Sequence, residues 1–137
     1  MMKVLSIDGG GVRGIIPARI LQEIEIRTNK HISQLFNIVS GTSTGGLLTL
    51  ALTKPDTQGN PEFFAGYLVE LYKERSKEIF AKPSIIRKIK TGFGLWGSKY
   101  DRAAYDEILL EIFKDTLLSQ SLCPVFIPTY IVTGKQY

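Results

Sequence analysis

Ser43 stands in Gly41-Thr42-Ser43-Thr44-Gly45, with a glycine two positions away on either side. That spacing suits a tight strand-to-helix turn that pushes a hydroxyl outward, the arrangement of an activated serine nucleophile. Such a turn needs an apolar strand before it and an apolar helix after it. Leu35-Phe36-Asn37-Ile38-Val39 and Leu47-Leu48-Thr49-Leu50-Ala51-Leu52 supply them. The plainer reading is a turn whose serine caps a helix. A second glycine run, Asp8-Gly9-Gly10-Gly11-Val12-Arg13-Gly14, follows the apolar segment Lys3-Val4-Leu5-Ser6-Ile7. In a parallel βαβ unit both loops leave the sheet at one carboxyl edge, and neighbouring strands lie about 4.8 Å apart. The bare amides of the glycine loop then face Ser43 and can hold the oxyanion of a tetrahedral acyl intermediate. The start of the following helix adds partial positive charge.

These loops must be held by regular elements. Lys3–Ile7 reads as a buried strand, and a helix is expected from about Gly14 to Asn29, with Pro17 in its first turn. Ile16, Ile20 and Ile24, with Leu21 beside them, predict its core-facing stripe. Leu35–Val39 is the second expected strand and Leu47–Leu52 a buried helix. After a polar turn region from Lys54 to Pro61, Asn60-Pro61 opens an amphipathic helix to about Phe80, with Phe64, Leu68, Leu71 and Ile79 near one face. Asp101 can cap a helix to about Leu118, with Tyr105, Ile108, Leu109, Ile112 and Phe113 inward. Val125–Val132 reads as a third strand, interrupted by Pro128. The order predicts an α/β fold with a mostly parallel sheet.

Length and composition narrow the function classes. At 137 residues and 44% hydrophobic, the chain fits one globular domain and no more. A net charge of +4 is too slight to argue for nucleic acid. With Cys123 as the lone cysteine, no internal disulfide can form, and a zinc cluster is not expected. Cys123 reads as a small core residue. The chain shows no run of about 18 apolar residues and no signal-peptide pattern, so a cytoplasmic or membrane-peripheral location is expected.

Single residues carry two readings each. His31, the only histidine, would be the only base for a Ser-His-Asp triad. It falls before the second strand, at the amino edge, and a strand of about six residues puts it about 20 Å from the serine. Asp8 is expected to accept hydrogen bonds from the glycine loop rather than to act as an acid. Arg13 either anchors that loop or meets a phosphate. Lys82 to Lys99 holds five basic residues and no acid, with Phe93, Leu95 and Trp96 interleaved. That segment reads either as a peripheral membrane contact or as a solvated loop with aromatics packed inward.

With these two motifs in this order, the chain resembles the patatin-like phospholipase family. The resemblance rests on Asp8 to Gly14 and Gly41 to Gly45, extends over Ile15-Ile16-Pro17-Ala18, and is looser from Tyr100 to Tyr130. It implies a three-layer α/β/α sandwich, lipid or phospholipid as substrate, and acyl-ester hydrolysis by a serine–aspartate dyad. No cofactor, metal or nucleic acid is implied. By position, Ser43 is the nucleophile, Gly9, Gly10 and Gly11 supply the oxyanion hole, and Asp8, Arg13 and Gly14 support the loop. Gly41 and Gly45 flank the elbow. The family's dyad aspartate lies in a later D-G-G or D-G-A. After Ser43 the aspartates are Asp56, Asp101, Asp106 and Asp115, followed by Thr, Arg, Glu and Thr. The chain therefore reads as the amino-terminal portion of a single patatin-like catalytic domain, inactive or nearly so without the base.

Two other classes compete. Gly9-x-Gly11-x-x-Gly14 matches a dinucleotide-binding fingerprint, but Ser40 and Gly41 occupy the place of the acid that such a fold wants. A Walker loop would need lysine where Ile15 stands. The third class is a binding domain in which Ser43 is vestigial.

Overall fold

The computed structural model describes residues 1–79 and 102–129. Three strands, β1 (Val4–Ile7), β2 (Ile38–Gly41) and β3 (Val125–Phe126), form a parallel sheet in the order β1-β2-β3. Register pairs Leu5 with Val39 and Ile7 with Gly41, and Val39 with Val125. Between them run α1 (Ile15–Thr28), α2 (Ile32–Leu35), α3 (Thr44–Leu52), α4 (Ala65–Ile79) and α5 (Arg102–Phe113). This is the α/β class with the parallel sheet that the motif order predicts. Among the described residues no helix is long and apolar enough to cross a membrane.

Strand alternation separates two sheet faces. Ile7, Val39 and Gly41 are buried, and the core gathers there with Leu48, Leu52, Leu68 and Val69. The other face carries Val4 and Phe126, 54% and 64% exposed. The described residues thus cover one face of the sheet and leave apolar side chains open on the other.

Several boundaries differ from the sequence expectation. Leu35 closes the short helix α2, so the second strand starts at Ile38, three residues later. The helix expected from Asn60-Pro61 starts at Ala65; its buried face is Ala65, Leu68, Val69 and Tyr72, while Phe64 precedes it, 55% exposed and stacked on His31. α5 ends at Phe113 rather than Leu118, beside Lys114 at φ 49. On α1 the buried residues are Ala18, Leu21 and Glu25, with Asn29 closing the helix in a left-handed turn. Ile16 and Ile20, expected inward, are 57% and 58% exposed. With Leu5, Pro17 and Ile24 they line an open groove beside β1. The helix has two apolar faces, and only one meets α4. Lys82 to Lys99, with its aromatics and basic residues, lies outside the described residues, as do Asp101, Tyr130 onward, and the side chains of Ile79 and Tyr105.

Glu25 ties three helices together. The residue is 4% exposed, and its carboxylate accepts from Ile32 N–H at 3.1 Å, opening α2, and from Ala65 N–H at 2.6 Å, opening α4. Each stranded buried amide costs about 1–3 kcal/mol. Glu25→Ala is therefore expected to lower unfolding free energy by about 2–5 kcal/mol in a urea melt. Burial raises the Glu25 carboxyl above its ordinary value, against the lowering pull of the Ala65 and Ile32 amides. The folded state thus favours the protonated form. That contribution is full below about 4.3, the ordinary glutamate value, and is lost as pH rises through the raised one. Relative to Glu25→Gln, the wild type is expected to gain stability as pH falls across this window. A difference that stays flat would remove the assignment.

Candidate active site

The pairing of Ile7 with Gly41 sends both glycine-rich loops off adjacent strands at one rim of the sheet. Thr42 N–H stitches them, donating to the Ile7 carbonyl at 3.2 Å. Ser43 then takes φ 54 and ψ −121. A side-chain-bearing residue holds such a backbone only under constraint, at a cost of order 1–3 kcal/mol. α3 starts at the next residue: Gly45 N–H donates to Thr42 O at 2.9 Å and Leu47 N–H to Ser43 O at 3.2 Å. The turn is closed by packing on bare backbone. A Cβ on Gly45 would overlap the Ile7 carbonyl and lie 3.0 Å from Asp8 O; one on Gly41 would overlap the Gly45 carbonyl. Ser43 itself is exposed, at the amino-terminal end of α3, where the helix dipole favours negative charge.

The glycine loop lies directly against this elbow. A Cβ on Gly9 would sit 2.8 Å from Thr42 O and 3.0 Å from Ser43 Cβ, so only glycine allows the approach. Gly10 N–H donates to Thr44 Oγ1 at 3.2 Å. From sequence alone, this amide is expected to serve Asp8 or an oxyanion. Among the described residues neither Gly9 N–H nor Gly11 N–H meets an acceptor. Gly11 opens a tight 3₁₀ turn, Gly11–Gly14, and Arg13 closes onto it: its N–H and its Nε both point to Gly10 O, at 3.2 and 3.5 Å. Both Arg13 contacts stay within the loop. Gly14 is buried, and a Cβ there would lie 2.8 Å from Tyr72 Cζ, so α4 supports the loop from beneath. Asp8 is exposed at the rim.

Thr44 is the residue that sequence reasoning missed. It occupies a variable position of the pentapeptide, yet it is 3% exposed and its hydroxyl couples the two loops. The available signal was a hydroxyl-bearing residue at the first position of the helix. Thr44→Val, which keeps the shape and removes the acceptor, is expected to cost about 1–3 kcal/mol in thermal or urea unfolding. No change in stability would mean that Gly10 N–H finds another acceptor at no cost.

Other candidates lie elsewhere. His31 precedes α2 at the amino rim, stacked on Phe64 with centroids 3.7 Å apart, and is not brought to Ser43. Asp56 Oδ1 accepts Gln58 and Asn60 N–H, both at 2.8 Å, in the turn after α3; the Asn60 bond leads in holding its carboxyl below the ordinary value. Asp106 and Asp115 are exposed on and after α5. Cys123 packs half-buried against the core, and burial pushes its thiol up. Beside Ser43 opens a cavity of about 660 Å³ between α3, α5 and the segment after β3. Leu47, Leu50, Leu109, Phe113 and Ile127 give it apolar walls. Leu110, Leu117 and Leu118 also line it and are each more than 60% exposed.

The family model described as "Patatin-like phospholipase" matches residues 5–135, almost the whole chain. The chain belongs to the patatin-like phospholipase family. Similar proteins include "Patatin-like protein 2" of Oryza sativa subsp. indica, 42% identical over 99% of this chain and 36% of its own length. "Patatin-T5" of Solanum tuberosum is 36% identical over 98% of this chain and 35% of its own length. "Patatin-like protein 2" of Arabidopsis thaliana is 38% identical over 99% of this chain and 35% of its own length. This patatin-like chain thus spans about a third of the length of the curated relatives it matches.

Proposed function

We propose that this chain forms the nucleophile half of a serine lipid acyl hydrolase. Ser43 Oγ attacks the ester carbonyl, and the negative charge that develops on oxygen is held by the Gly9 and Gly11 amides and the start of α3. Gly10 N–H, turned to Thr44, fixes the loop instead of holding the oxyanion. The observation that carries this reading is that Gly9 lies so close to the strained serine turn that a Cβ there would come within 3.0 Å of Ser43 Cβ. The apolar cavity beside the serine favours an acyl chain over a polar leaving group there.

The base belongs, in this proposal, to sequence beyond the chain. No Asp-Gly-Gly or Asp-Gly-Ala follows Ser43, and a serine without its base is a weak nucleophile. We read the chain as the amino-terminal portion of one catalytic domain. The open sheet face at Val4 and Phe126 and the groove at Ile16 and Ile20 support this, being apolar surfaces that a larger domain would cover. The Gly9-x-Gly11-x-x-Gly14 fingerprint is accounted for by the same family, without a nucleotide. The test is ester hydrolysis by a chain extended to the length of its relatives, measured on p-nitrophenyl acyl esters and phospholipid vesicles. Hydrolysis that the 137-residue chain lacks is expected. An extended chain that turns over no acyl ester would leave a binding domain as the better reading.

A further inference from the structure

The nucleophile and a buried cation lie at opposite ends of one stripe on α3. Ser43, Gly46, Leu47, Leu50 and Lys54 all line the same cavity. At about 100° per residue they fall within an arc of about 100° on the helix. Ser43 immediately precedes α3, and Lys54 follows it by two residues, held by tight turns from Thr53 N–H to Leu50 O and from Lys54 N–H to Ala51 O. Eleven residues at about 1.5 Å each separate the two ends by about 16 Å. Between them the α3 face is a glycine and two leucines, with Leu109, Phe113 and Ile127 across the cavity.

The far end is polar, with Lys54 and Lys114 both lining it. Lys54 is 6% exposed and ion-paired with Glu62. Its Nζ lies 5.5 Å from the Phe63 ring centre. Burial lowers its pKa, and Lys114, which also lines the cavity, pushes the same way. A methyl group gains nothing by advancing onto an ion pair whose lysine is buried and whose Glu62 is still 26% exposed, because it would worsen the pair's desolvation.

We propose that the α3 stripe is an acyl-chain ruler: the carboxyl end lies at Ser43, the chain follows Gly46, Leu47 and Leu50, and the Lys54–Glu62 pair stops it. This rests on the acyl-hydrolase reading of Ser43 and names the acyl chain that the site takes. With about 1.3 Å gained per carbon of an extended chain, from ordinary C–C geometry, 16 Å holds about twelve carbons. The favoured occupants are saturated, unbranched acyl groups of about that length.

Binding of saturated n-alkyl carboxylates, from roughly six to sixteen carbons, to the full chain tests this by displacement of a fluorescent fatty acid. Affinity is expected to rise up to about fourfold per methylene, then level off near twelve carbons. Leu50→Trp, which fills the stripe about 10 Å from Ser43, is expected to move the break to about eight carbons. Lys54→Met combined with Glu62→Gln is expected to move it beyond twelve. A break that stays in place in both variants, a series without a break, or no binding at any length overturns the ruler. Hydrolysis of p-nitrophenyl acetate by the extended chain, measured in parallel, needs no ruler. Its presence with a flat length series sinks the ruler alone, and its absence with an intact, movable break sinks the hydrolase alone.

Discussion

Ser43→Ala in the extended chain is expected to lower kcat for acyl-ester hydrolysis by at least about a thousandfold, since removing a serine nucleophile costs that much or more. The same position carries a second, opposite effect. Ser43 sits at φ 54 and ψ −121, a backbone that glycine adopts freely and serine does not. Ser43→Gly is therefore expected to raise unfolding free energy by about 1–2 kcal/mol while abolishing turnover. A serine that merely capped the helix would behave otherwise, because losing a cap costs about 1 kcal/mol. No side-chain capping bond is present at Ser43. Paired urea melts of the wild type, Ser43→Ala and Ser43→Gly separate the two roles. If Ser43→Gly is the least stable of the three, the strain argument fails.

Gly45→Ala is expected to be among the most damaging conservative changes at the described residues. The added methyl would overlap the Ile7 carbonyl, and the atoms it meets are backbone of β1 rather than the end of a flexible side chain. Relief requires α3 to lift off β1, which breaks the Thr42 N–H bond to Ile7 and opens the buried contacts of Leu48 and Leu52. Loss of more than about 4 kcal/mol, the upper tail for a point substitution, is expected. For a small domain that leaves little folded protein. Soluble yield, circular dichroism and urea titration check it. A Gly45→Ala protein within about 1 kcal/mol of the wild type would mean that the elbow is far looser than its geometry.

The two glycine-rich turns were legible because their chemistry is local. Glycine at fixed offsets beside a serine signals a close backbone approach whatever the rest of the chain does. The β-α-β-α order was legible for the same reason, since apolar runs alternate with turn residues. What sequence could not show is set by distant partners. α4 starts at Ala65 because Glu25, forty residues earlier, accepts its first amide. The local signal at Asn60-Pro61 instead feeds a turn around Asp56. Leu35 looks like strand but ends α2, whose first amide is held by the same Glu25. On α1 the four-residue spacing of isoleucines is real, yet that stripe is not the one that meets α4. Thr44 was invisible because its value lies in an acceptor offered to Gly10 across the loop–elbow contact.

The central claim is that an ester carbonyl sits between Ser43 and the glycine loop. A crystal structure of the extended chain after reaction with an alkyl fluorophosphonate tests it most directly. The account predicts phosphorus bonded to Ser43 Oγ, with the phosphoryl oxygen about 2.7–3.1 Å from the Gly9 or Gly11 amide nitrogen. Phosphorus on another residue, or a phosphoryl oxygen turned away from residues 9 to 11, would contradict it.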